Sequence, residues 1–245
     1  MGGADDVMQL FVVATGSSAN SYILSTNDGE SLILDAGVPF NKVLPHIPDV
    51  RKISACLITH EHADHARAWA EYAKRGIPLV LSEGTNNALN ANVRPTHELQ
   101  RISVGSFIVM PFMVQHDAAE PFGFLVRYAP TGETLLYATD TYYLRYTFPG
   151  VNYWVIECNY CEDLVDGETN LVLRNRLKES HMGLGRLLDV FASNDMLCAD
   201  KIVLVHLSDK RSNENVMQNS IIAQTGVETV AARAGMTINL ESTPF

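Results

Sequence analysis

The chain has 245 residues, 47% of them hydrophobic, with 18 Lys and Arg against 28 Asp and Glu and a formal net charge of −10. That apolar content builds a sizeable core, and with no linker-like tract a single domain over residues 1–245 is expected. The acidic balance excludes the broadly basic face that holds long nucleic acid by its backbone, so a nucleic-acid end or a small nucleotide is the better-suited partner.

Residues 1–7 are acidic and carry no apolar run, so neither a signal peptide nor a membrane segment is expected there. A cytoplasmic chain is therefore expected, with its four cysteines reduced rather than paired. Residues 10–14 and 22–25 read as strands around a Gly/Ser/Asn turn, and 31–34 as a third strand ending in Asp35-Ala36-Gly37. A short helical piece at 41–47 precedes the apolar run 53–59, which is brief enough for a buried strand. Residues 64–75 then place Trp69, Tyr72 and Ala73 on one helical face and stop at Gly76.

Between strand and helix lies His60-Glu61-His62-Ala63-Asp64-His65. At a strand tip side chains alternate, so His60 and His62 point one way, while Asp64 and His65 begin the helix and point another. Two pairs of ligands thus diverge, and imidazole with carboxylate suits zinc or manganese.

Further along, 78–82 is a strand, 85–92 a polar helix, and 99–102 and 107–114 strands. Residues 122–128 and 134–138 form a hairpin turning at Pro130-Thr131-Gly132, and 153–157 is another buried run. Helices are expected at 170–179 and 184–192, with Leu171, Leu177, Leu187, Leu188 and Phe191 as their apolar face. Strand 201–207, a long helix 215–234 and strand 236–240 close the chain. The fold class is α/β, two packed sheets with helices outside.

His116, Asp140 and His206 each follow an apolar strand. One such residue is ordinarily a turn residue, but their recurrence is informative. Together with the hexapeptide they provide enough imidazole and carboxylate for two metal sites, with a carboxylate bridging the ions.

The order His60, His62, Asp64, His65, His116, Asp140, His206 resembles the metallo-β-lactamase superfamily in its dinuclear hydrolase form, across nearly the whole chain. The resemblance implies a four-layer αββα sandwich of two mixed sheets and two divalent metal ions, zinc (Zn2+) or manganese (Mn2+). It implies His60, His62 and His116 on one ion and Asp64, His65 and His206 on the other, with Asp140 bridging and Asp64 also counted as catalytic. Asp35, in LILDAG, either orients the histidine turn from behind or caps a strand-end turn.

The segments GSSANSYIL, HDAAEPFGF, TDT, ESHMG and HLSDKRSN look like those of YycJ-type exonucleases and ribonuclease Z. By that resemblance His181, standing before helix 184–192, protonates a leaving group; otherwise it is a helix-terminal histidine favoured by the dipole. True β-lactamases of the superfamily lack Asp64-His65 followed by a bridging Asp140. The predicted elements between Asp140 and His206 leave no room for a β-CASP domain, and no Gly/Pro-rich arm for gripping tRNA lies between His65 and His116.

Lesser features remain. Cys158 and Cys161 form a CxxC with no partner pair, so the spacing is fortuitous or redox-active. Ser208, Lys210, Arg211 and Asn213 either hold a substrate phosphate or form a solvated charged turn. Tyr142, Tyr143, Tyr146 and Phe148 stack on a base, pack internally, or cover a homodimer surface. The expected function is metal-dependent phosphodiester hydrolysis with His181 as general acid, exonucleolytic on DNA by the YycJ resemblance. A cyclic-nucleotide phosphodiesterase and a glyoxalase II-like thioester hydrolase are the alternatives.

Overall fold

Short apolar runs become strands throughout the computed structural model, which describes residues 7–166 and 171–241. The expectation for the N-terminal segment therefore falls on residues 1–6, outside the described residues, as does the helix start at Asn170.

β1 (Met8–Ala14), β2 (Ser21–Thr26) and β3 (Ser31–Leu34) run antiparallel. After α1 (Phe40–Val43), β4 (Ile53–Leu57) joins β3 in parallel; α2 (Ala63–Ala66) and α3 (Trp69–Ala73) lead to β5 (Leu79–Val80), parallel to β4. α4 (Glu83–Leu89) crosses to an antiparallel run of β6 (Ile102–Val104), β7 (Phe107–Met113), β8 (Phe122–Tyr128) and β9 (Thr134–Ala138). β10 (Tyr153–Glu157) pairs in parallel with β9, followed by α5 (Glu162–Asp166), α6 (Leu171–Ser180) and α7 (Leu184–Ala192). β11 (Lys201–Val205), α8 (Glu214–Thr225), β12 (Glu228–Ala231) and β13 (Thr237–Leu240) complete the chain. The strands form two mixed sheets, ordered β13-β1-β2-β3-β4-β5 and β12-β11-β10-β9-β8-β7-β6.

Side-chain alternation divides each sheet between two cores. Leu32, Leu34 and Leu57 face inward against Phe124, Tyr137, Val155 and Val203 of the other sheet. Ile33 and Cys56 face outward under Phe40 and Tyr72. On the far side, Leu136, Trp154 and Leu204 meet Leu187 and Phe191 of α7 and Met217 and Ile221 of α8. Both faces of the central strands are buried, which is why they read as unbroken apolar runs. Each large side chain so placed contributes about 1.5–3 kcal/mol. The result is the αββα sandwich.

The sequence expectation fails at four places. The helix at 64–75 divides at Ala68 (φ −103°, ψ 7°), because the Ala68 N–H donates to Ala36 O rather than continuing the helical ladder. The helix at 215–234 stops at Gly226 (φ 72°), and the segment beyond becomes β12, captured by pairing with β11. Leu99 takes a positive φ of 59°, so the strand expected at 99–102 begins only at Ile102. Leu171 of α6 is 58% exposed and does not share a packed face with Leu187 and Phe191. Among the described residues no helix is long and apolar enough to cross a membrane.

Candidate metal centre

Strand ends from both sheets converge on one point. β3 delivers Asp35, β4 the turn His60 to His65, β7 His116, β9 Asp140, β10 Glu157 and β11 His206. Three of these, Asp35, Asp140 and His206, have positive φ of 62°, 49° and 55°. Such backbone is costly for non-glycine residues and persists where the surroundings over-determine it.

Two donor groups result, each with its ligand atoms within 4.8 Å of one another: His60, His62, His116 and Asp140, and Asp64, His65, Asp140 and His206. Asp140 belongs to both. Its Oδ2 lies 3.3 Å from His65 Nε2, 3.5 Å from His116 Nε2 and 3.7 Å from His60 Nε2. His62 Nδ1 and His116 Nε2 face each other at 3.2 Å. Asp64 Oδ2 stands 3.3 Å from His65 Nε2 and 3.6 Å from His206 Nε2.

The opposite ring nitrogens are held by the protein. His60 Nδ1 meets Thr59 Oγ1 at 3.0 Å, His65 Nδ1 meets Asp35 Oδ2 at 2.7 Å, and His116 Nδ1 meets Ser180 O at 3.0 Å. His206 Nδ1 meets Glu157 Oε1 at 3.0 Å. One nitrogen anchored and one turned inward is the arrangement that metal-ligating histidines adopt. The Nε2 atoms of His60 and His206 are buried with no hydrogen-bond partner, a cost of about 1–3 kcal/mol each unless something accepts their lone pairs. A divalent cation fits that need.

The charges agree. Burial pulls the His206 imidazole down, but the carboxylates of Asp140, Asp64 and Glu157 outweigh it and push it up to about 10. Burial likewise opposes His65, yet Asp140 and Asp35 hold it well above the usual imidazole range. Asp140 is held well below the carboxylate range, because His206 and His65 outweigh its burial.

Residues 32–207 match the family model described as a beta-lactamase superfamily domain. The chain belongs to the beta-lactamase superfamily. Exodeoxyribonuclease WalJ of Streptococcus pneumoniae is 26% identical over 238 residues, covering 87% of this chain and 86% of that protein. Exodeoxyribonuclease YycJ of Bacillus anthracis is 32% identical over 170 residues, covering 61% and 62%. Among solved structures, the metallo-beta-lactamase fold protein YhfI from Bacillus subtilis superposes with a TM-score of 0.73 at 14% identity, covering 96% of this chain and 100% of that one, a likeness of fold. With its divalent-metal donor set, this superfamily member is a metal-dependent hydrolase.

Asp35 sits behind the superfamily hexapeptide, fully buried. Its Oδ1 accepts from Thr59 N at 2.8 Å, and its Oδ2 accepts from Tyr137 Oη at 2.6 Å as well as from His65. It therefore both closes the strand-end turn and ties His65 to the opposite sheet.

His181, between α6 and α7, stacks on His206 with ring centroids 5.3 Å apart. Its Nδ1 lies 2.7 Å from Glu157 Oε1. With His62, Asp64, His116, Asp140 and His206 it lines a cavity of about 140 Å³.

Glu157 was not anticipated. Fully buried, it also accepts from Thr141 N at 3.0 Å and Met182 N at 3.1 Å. It completes a third donor group with Asp140, His181 and His206. Its signal in the sequence was the same as that of Asp140 and His206: a charged residue closing an apolar strand.

Ser208, Lys210, Arg211 and Asn213 do not line the cavity. Ser208 N donates to Asn159 O and Cys161 N to Arg211 O, drawing the loop toward α5, while Asn213 caps α8 through Val216 N. The cation that does line the cavity is Arg176 of α6. Cys158 and Cys161 are free and buried, their thiols pushed up by burial, and among the described residues they join no cluster of metal donors. Phe148 is core, packed on Phe112 and Trp154, whereas Tyr142, Tyr143 and Tyr146 border a surface groove.

Proposed function

We propose that the protein hydrolyses phosphodiester bonds at the end of a DNA strand, with two divalent ions, zinc or manganese, as cofactors. His60, His62 and His116 would hold one ion and Asp64, His65 and His206 the other, with Asp140 between them. The observation that carries this reading is a double donor group and a carboxylate-anchored histidine, His181, lining one cavity. The two relatives named exodeoxyribonucleases support it.

When bound, two divalent cations lower the pKa of water from 15.7 toward roughly 7 and neutralise charge on the phosphoryl oxygens. The protein's own groups account for the rest. Asp64, whose side chain is 22% exposed, faces the cavity and would orient the attacking water by accepting a hydrogen bond from it. With Nδ1 engaged by Glu157, His181 has Nε2 left to protonate the departing oxygen. Arg176 binds a phosphate oxygen at the cavity mouth. Its guanidinium has no ion pair among the described residues and is available for this.

The test is the purified protein with zinc or manganese, offered end-labelled DNA, a set of cyclic mononucleotides and S-lactoylglutathione. Release of mononucleotides from the DNA end is expected. Turnover of the thioester alone overturns the phosphodiester reading, and cleavage of cyclic nucleotides without DNA replaces the exonuclease with a cyclic-nucleotide phosphodiesterase.

A further inference from the structure

The segment that follows Asp140 is tied to the metal centre at its root. Thr141 Oγ1 accepts from Gln115 N at 3.0 Å and donates to Tyr143 O at 2.8 Å, and Tyr142 N donates to Gln115 O at 3.2 Å. Gln115 immediately precedes the ligand His116, so this loop is fixed relative to the donors on both of its sides. Beyond Thr141 the loop and α7 enclose a groove of about 430 Å³, within the range of roughly 300–1,000 Å³ that small-molecule sites occupy.

One trough separates the groove from the cavity over the metal donors. Tyr142 borders both the groove and this trough, and the trough shares His116, Asp117, Arg176 and Ser180 with the cavity. The groove's lining brings together three tyrosines, the guanidinium groups of Arg145 and Arg186 and one carboxylate, Asp189, in a chain of net charge −10. The Arg186 guanidinium lies 5.2 Å from the Tyr142 ring centroid, and that of Arg145 lies 4.7 Å from Tyr146. Arg145 shares its charge with Glu98, but Arg186 has no ion pair among the described residues; its Nη1 donates to the carbonyls of Lys178 and Tyr142. Tyr143, 54% exposed, lines the groove. A lone apolar ligand has no use for two guanidinium planes, and a free phosphate has no use for three rings. A nucleotide uses both, because every base has a π-face and every linkage an anion.

We propose that this groove seats a nucleotide of the strand whose end is being cut: its base stacks on Tyr142 and Tyr143, and Arg186 faces its phosphate. The proposal rests on the phosphodiesterase reading above and adds to it where the strand runs.

The test compares wild type with Tyr143→Ala, Tyr143→Phe and Arg186→Ala on two substrates, a thymidine oligonucleotide and the base-free ester bis(p-nitrophenyl) phosphate. The ratio of kcat/KM for the oligonucleotide to that for the small ester is expected to fall about tenfold in Tyr143→Ala and Arg186→Ala, and to be kept by Tyr143→Phe, which retains the ring. An unchanged ratio in both of the first two variants overturns the groove while leaving phosphodiester hydrolysis standing. If wild type cleaves neither substrate, the phosphodiesterase reading fails on its own. The groove is then judged by fluorescence anisotropy of the labelled oligonucleotide. Equal affinity of wild type and Tyr143→Ala overturns it, and about tenfold weaker binding by Tyr143→Ala upholds it.

Discussion

Glu157 holds two imidazoles at once, that of His181 at 2.7 Å and that of His206 at 3.0 Å, and so couples the candidate acid to a candidate ligand through a single buried carboxylate. Glu157→Gln keeps the shape and removes the charge. It is expected to lower kcat or metal affinity by about 10–100-fold, read by steady-state kinetics beside a zinc titration; wild-type values for both would reduce Glu157 to a packing residue. His181→Ala is expected to lower kcat by about 10²–10⁴-fold while the metal content measured by mass spectrometry stays at the wild-type level. Because His181 also belongs to a donor group with Asp140, Glu157 and His206, loss of metal in that variant would make it a ligand rather than an acid. His181 could be singled out by its place before α7, but its partner could not. Nothing in the sequence sets the distance between the end of β10 and a loop more than twenty residues later; the packing of α7 on the second sheet does.

Elements decide how rigidly these residues are held. The histidine turn is pinned to the start of β2 by Asn20 N to Asp64 O at 2.7 Å and to the end of β3 by Ala36 N to His65 O at 2.7 Å, and a Cβ at Gly37 would collide with the Asp64 carbonyl oxygen. Gly37→Ala must therefore displace the turn, at a cost of about 1–3 kcal/mol. A lower unfolding midpoint together with weakened metal binding is expected. Gly226→Ala is the contrasting case: a Cβ there meets nothing within 4 Å, so only the left-handed backbone (φ 72°) resists it. That variant should lose about 1–2 kcal/mol in denaturant unfolding and keep its metal affinity. The same glycine marks where a helical pattern at 215–234 ends, because the segment after it pairs with β11 instead of extending α8.

At the scale of the whole molecule the candidate centre joins two sheets. The donors His60, His62, Asp64 and His65 follow a strand of the first sheet, and His116, Asp140 and His206 follow strands of the second. Metal held between them should therefore stabilise the fold as well as the chemistry, by about 2.7 kcal/mol per site at a hundredfold excess over Kd. Calorimetry with chelator and then with added zinc should show the Tm fall and recover, and a Tm indifferent to both would remove the metals from the fold's energetics. The strand runs, the hexapeptide and the recurrence of His and Asp after apolar segments could be read from residue order alone. Strand tips and apolar alternation are local properties, written in neighbouring residues. Glu157 as the shared anchor, Arg176 in place of the 208–213 loop at the cavity, the break at Ala68 and the β12 pairing were decided by tertiary structure. Each depends on a hydrogen bond or a packing contact between residues far apart in the chain, and such contacts have no local signature.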